Sequence, residues 1–215
     1  MILPFTGADV ATTIPKAIAH IRGGGLLGYP TETVYGLGGR VDLESVRALA
    51  KLKGRPDGKP FLVLVSDVPM AESLGLLFND AARAMARAFW PGPLTLALPS
   101  TGTKLPTQLR GPEGGIAVRH TSHPDVARLI KALGEPLTST SANRPGTPPA
   151  PGADRLAEAF GDAVATGQLL VLDGGVLGNV PPSTLVDCTG SVARLIREGA
   201  IPRSELRRAV GRLAP

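Results

Sequence analysis

"GIAVRHTSHPDVARLIKALGEPLTSTSAN", residues 115–143, is the stretch whose reading decides the architecture. "GIAVRH" predicts a strand, "HPDVARLIKALG" a helix stopped by its glycine, and "PLTSTSAN" a second strand. Moving outward, "LTLAL" is a strand, and before it "NDAARAMARAFW" is a helix with Asn79 or Asp80 as N-cap and "PGP" as its stop. "LLGYP" and "FLVLVSD" read as short buried strands on either side of "LESVRALAKLK", which carries Leu43, Val46, Leu49 and Leu52 at helical spacing. Val10, Ile14, Ala17, Ile18 and Ile21 mark an earlier helix over residues 8–22, stopped by "GGG". Towards the end "LLVLDGG", "STLVD" and "ARLIREG" are strands and "PRSELRRAVGRL" is a helix. Several strands follow one another directly. That favours an α/β fold built on a twisted mixed sheet with flanking helices over a purely doubly wound one.

The expected unit is one domain, residues 1–215. "NRPGTPPAPGAD" at 143–154 is read as a long functional loop within it, because its neighbours share one alternating pattern. With 215 residues, 43% of them apolar and 19% charged, the chain is long enough for a sizeable core and is not of disordered composition. A net charge of +5 suits anionic partners but says little alone. One cysteine, Cys188, excludes an internal disulfide framework and a cysteine-based metal cluster. No basic n-region precedes a long apolar run, and stretches such as "FLVLV" are too short to cross a bilayer, so a cytoplasmic chain with no membrane partner is expected.

No phosphate-binding G-x-x-x-x-G-K-[ST] string occurs, nor a G-x-G-x-x-G opening a helix. His20, His120 and His123 do not form a metal-ligand spacing, and the last two read as surface or capping residues; no metal site is expected. Polar loops at the ends of apolar strands remain. "YPTETVYGLGG" offers Thr31, Thr33 and Tyr35 straight after a strand. "KLKGRPDGKP", residues 51–60, places Lys51, Lys53, Arg55 and Lys59 in a turn punctuated by Gly54, Pro56 and Gly58. An arginine there grips a carboxylate or phosphate by two bonds, and lysines act as point charges. In "LTSTSANRPG" strand alternation points Ser139, Ser141 and Asn143 the same way, a row suited to a polar ligand. Ser183 of "PPSTLVD" and Arg197 of "RLIREG" repeat the pattern more weakly.

Five of these motifs in this order resemble the YrdC family of threonylcarbamoyl-AMP synthases: "PTETVYGLG", Lys53-Gly54-Arg55, "WPGPLTL", Ser141-Ala142-Asn143 and "STLVD". The resemblance covers residues 10–200 and is to the short, single-domain form. It implies an α/β fold around a large, positively charged cavity, and synthesis of threonylcarbamoyl-adenylate and pyrophosphate from L-threonine, bicarbonate and ATP. Mg²⁺ would accompany the ATP. A threonylcarbamoyl-transferase complex would pass the group to tRNA. By matched position, Thr31, Arg119, Ser141 and Ser183 would bind threonine. Lys53, Arg55, Lys59, Asn143 and Arg197 would bind ATP, Lys53 and Arg55 being the catalytic pair. Two departures stand out: Leu64 occupies the position of a family histidine, and Pro151 that of a small hydroxyl residue. The competing reading is a non-catalytic module of the same fold that binds double-stranded RNA or tRNA. The extra hydroxyl and asparagine groups favour the enzyme.

Overall fold

In "LTLAL" the leucines face one side of the strand and Thr95 faces the other, and this alternation organises the molecule. The computed structural model describes residues 1–55, 59–102 and 104–214, so Pro56, Asp57 and Gly58 of the basic turn lie outside the described residues. The strands are β1 (Ile2–Pro4), β2 (Leu26–Tyr29), β3 (Gly36–Gly38), β4 (Leu62–Val65), β5 (Leu94–Leu98), β6 (Ile116–His120), β7 (Leu137–Ser141), β8 (Leu169–Asp173), β9 (Thr184–Asp187) and β10 (Arg194–Arg197). They form one sheet in the order β1-β8-β2-β3-β7-β4-β6-β5-β9-β10. The sheet is mixed. β1, β8 and β2 are parallel, as are the pairs β4–β6 and β5–β9, while the remaining pairs are antiparallel.

Helices α1 (Asp9–Arg22), α2 (Leu43–Lys53), α3 (Val68–Ser73), α4 (Asp80–Phe89), α5 (Pro124–Leu133), α6 (Ala153–Ala159), α7 (Gly161–Ala165) and α8 (Arg203–Val210) pack on the sheet. One face carries the larger core: Leu94, Leu96 and Leu98 of β5 and Ile116 and Val118 of β6 meet Leu49 of α2, Met85 of α4, Leu156 of α6 and Leu206 of α8. Each fully buried leucine of this kind contributes roughly 1.5–3 kcal/mol. On the other face, Val10, Ile14 and Ile21 of α1 and Leu129, Ile130 and Leu133 of α5 cover Leu27, Leu64, Leu137, Leu170 and Leu172. No helix among those described is long and apolar enough to cross a membrane.

Caps agree with the sequence. Asp42 accepts from the Ser45 amide at 2.8 Å to open α2, and Gly54 at φ +61° closes it. Asn79 accepts from the Ala82 amide at 2.9 Å to open α4, and Gly134 at φ +72° ends α5.

Three local expectations need correction. "GLG" is not loop but strand β3, where a Cβ at Gly38 would collide with the Thr138 carbonyl, so that only glycine lets β3 lie this close to β7. His123 stands at the N-cap of α5 without making a capping bond; its Nδ1 is buried and unpartnered. β7 ends at Ser141, so strand alternation does not reach Asn143, which folds back instead.

Candidate active site

On the second face α1 and α5 cover Leu137 of β7 and Leu64 of β4, while the strand positions beyond them meet no residue of the described helices. A cavity of about 950 Å³ lies there. Its floor is the alternate residues of successive strands: Gly36, Ser139 and Ser141, Leu62, Ala117 and Arg119, Thr95, Leu185 and Arg197. Four segments wall it: the β2–β3 loop with Thr31 and Thr33, the basic turn with Arg55 and Lys59, the proline-rich 148–151 run, and the 177–183 run ending in Ser183. Among the described residues the lining carries four cationic side chains, Arg55, Lys59, Arg119 and Arg197, and no aspartate or glutamate. Such a surface favours an anionic ligand.

The sequence-derived residues divide into two groups. Thr31, Arg55, Lys59, Arg119, Ser141, Ser183 and Arg197 line the cavity. Lys53 and Asn143 are not part of the lining and stand behind Ser141. The Lys53 ammonium donates to the Ser141 carbonyl, to Ser141 Oγ at 3.3 Å and to Asn143 Oδ1. Asn143 also accepts from Ser141 Oγ at 2.6 Å and donates to the Thr147 carbonyl, closing the loop after β7. Burial, with the neighbouring Arg55 charge, brings the Lys53 pKa down to about 8.

Arg55 is held by its own turn. Its Nε donates to the Lys59 carbonyl at 2.7 Å, Nη2 to the Pro60 carbonyl at 2.7 Å and Nη1 to Thr140 Oγ1 at 3.0 Å, with the Phe61 ring 4.8 Å away. A guanidinium has five N–H donors, so one on each terminal nitrogen is unused among the described residues. Thr31 Oγ1 accepts from the amides of Thr33 and Val34, both at 3.2 Å, and donates to the Val34 carbonyl at 2.7 Å, fastening the loop that carries it. Arg197 donates to the Ser183 carbonyl at 2.8 Å. Burial and the nearby Arg119 charge lower its pKa. Leu64 is wholly buried in the cluster under α1 and α5.

Sequence reasoning missed Thr95, whose hydroxyl meets Ser183 Oγ at 2.9 Å. A lone hydroxyl between leucines in "LTLAL" was the available signal. It also missed the 177–182 wall, which carries no charge and a single polar side chain, Asn179.

Comparison with known proteins then gives the chain its place. The Sua5–YciO–YrdC family model, described as "Telomere recombination", matches residues 19–199. The chain belongs to this family. It is 40% identical over 180 residues to the threonylcarbamoyl-AMP synthase of Chromohalobacter salexigens, which covers 83% of this chain and 94% of that protein. It is 33% identical over 198 residues to the Pyrococcus abyssi enzyme of the same name, covering 92% of this chain but 57% of that longer protein. The crystal structure of P. abyssi Sua5 complexed with L-threonine superposes with a TM-score of 0.90 at 32% identity, over all of this chain and 63% of that one. E. coli YciO superposes with a TM-score of 0.79 at 27% identity, over 94% and 96% of the two chains.

Proposed function

We propose that this family member is an L-threonylcarbamoyladenylate synthase, a nucleotidyltransferase that consumes L-threonine, bicarbonate and ATP. The observation that carries the reading is one cavity in which cations from the basic turn, β6 and β10 converge with the β7 hydroxyls, with no carboxylate in the lining among the described residues. The names of the relatives and the threonine complex of P. abyssi Sua5 support it.

In this reading threonine and bicarbonate give the carbamate with loss of water. A carbamate oxygen attacks the α-phosphate, the bond to the β-phosphate breaks, and pyrophosphate leaves. The protein supplies position and charge rather than a nucleophile. Arg119, Ser183 and Ser141, with the loop fastened by Thr31, hold the amino acid. Arg55, Lys59 and Arg197 face the phosphates and the developing charge. Lys53 and Asn143 act through Ser141. The described residues hold no cluster of His, Cys, Asp or Glu fit to bind a metal ion. Mg²⁺ would enter as part of the nucleotide, carried by its phosphates and water. Delivery of the adenylate to a threonylcarbamoyl-transferase complex, and through it to tRNA in the cytoplasm, completes the proposal.

Incubation with ATP, L-threonine and bicarbonate tests it. Pyrophosphate release that requires all three is the expected result. Release independent of threonine would overturn the assignment, and tRNA binding without any turnover would leave a binding module.

A further inference from the structure

Glu32, in the middle of "PTETVYG", does not line the cavity, yet it lies against the arginine that does. The Arg119 side chain is 4% exposed and that of Glu32 13%. Glu32 Oε1 is 3.7 Å from Arg119 Nε, and each of these two buried atoms lacks a hydrogen-bond partner among the described residues. The other carboxylate oxygen, Oε2, accepts from Thr121 Oγ1. The Thr121 hydroxyl in turn accepts from the His123 amide at 3.2 Å, which directs its proton to Glu32. Across the guanidinium, Nη1 reaches Thr33 Oγ1 at 3.4 Å, and Nη2 makes no hydrogen bond among the described residues.

We infer that Glu32 is a positioning residue: held by Thr121, it fixes Arg119 from its Nε edge and aims the terminal nitrogens at the carboxylate of the bound amino acid. The inference rests on the threonine-binding role proposed for Arg119. Physically, a buried guanidinium needs a counter-charge, and Arg119 has Arg197 nearby and, among the described residues, no carboxylate in the cavity lining. A carboxylate behind Arg119 supplies that charge without blocking the ligand side. The 3.7 Å separation leaves room for the pair to close when a ligand draws the guanidinium into alignment. The motif's threonines thus fasten the loop, while its glutamate serves the arginine on a different strand.

Titration calorimetry of the full chain tests this, with L-threonine, L-threoninol (which lacks the carboxylate) and ATP as separate probes. Glu32→Gln should weaken L-threonine binding by about 10- to 100-fold, the scale on which small misplacements act. ATP and L-threoninol binding should not change. In turnover the same variant should raise the threonine KM and leave kcat and the ATP KM in place. Glu32→Gln should add nothing in an Arg119→Ala background. Thr121→Val keeps the carboxylate but frees it, and should shift threonine binding in the same direction by less; it stands in should Glu32→Gln fail to fold. Equal losses for threonine, threoninol and ATP would overturn the inference in favour of a merely structural role, as would wild-type threonine affinity in both variants. Failure of the unmodified chain to bind threonine would instead overturn the proposed function, and this inference with it.

Discussion

One face of the sheet is used in two ways. Under α1 and α5, Leu27, Leu64, Leu137, Leu170 and Leu172 meet an apolar helix surface and exclude water. Beyond β3, alternate strand positions on the same side present Ser139, Ser141, Thr95, Arg119 and Arg197 to an open cavity. The join is abrupt: Leu64 of β4 pairs directly with Arg119 of β6, and Leu62, two residues earlier on the same side, is already in the cavity lining. Packing on the covered half makes the uncovered half affordable, because the hydroxyls and guanidiniums of the cavity are held by hydrogen bonds to a rigid frame instead of by burial of apolar area.

That division separates stability from activity, and paired substitutions can break it. Leu172→Ala, under α1, should lower unfolding free energy by about 2–5 kcal/mol while leaving both substrate KM values unchanged in the molecules that stay folded. Arg55→Ala should do the reverse. Turnover should fall by about 100- to 1000-fold, the usual cost of removing one positioned donor to developing charge, with little change in the denaturant midpoint. Equal falls in stability and activity for both variants would show that the two halves are not separable.

A smaller effect comes from pH. Lys53 has its pKa pulled down to about 8, so its charge is present at pH 7 and is lost as the pH rises through that value. The threonine KM should therefore rise between pH 7 and 9 in the wild type, because Lys53 acts through Ser141, and Lys53→Arg, which cannot lose its charge in that range, should flatten the profile. Stability should move the opposite way. Between pH 8 and the ordinary lysine value of 10.5 the unfolded chain holds more protons at this group than the folded one, so Lys53 contributes a rise in stability with pH across that window. A threonine KM indifferent to pH in the wild type would remove Lys53 from the support of Ser141.

Thr95→Val should give the smallest change. It removes one shared hydroxyl contact, worth about 0.5–1.5 kcal/mol, and frees Ser183 Oγ to turn. The expected outcome is a modest rise in the threonine KM with a loss of stability no larger than that contact, read by steady-state kinetics beside thermal melting. An unchanged KM would place Thr95 with the frame instead of the site.

Local chemistry determined a large part of this molecule. Apolar spacing marked α1 and α2, Asn79 and Gly134 set helix ends, and alternation in "LTSTS" placed Ser139 and Ser141 on one side. The motifs also marked where cations and hydroxyls stand in the chain. What tertiary structure alone decided is which of them share a space. Strand order brings Arg197 of β10 within electrostatic reach of Arg119 of β6, and folding puts Lys53 behind Ser141 rather than in the cavity. Leu64, on the same side of β4 as the cavity residue Leu62, falls under α5 instead, a matter of helix placement and not of residue type. Glu32 touches Arg119 across 86 intervening positions or so, through a pairing of loop and strand that no local pattern encodes. Periodicity reports only which side of its own element a side chain occupies. A site assembled from the β2–β3 loop, the turn after α2 and seven separate strands depends on long-range pairing, and that is settled when the sheet closes its order.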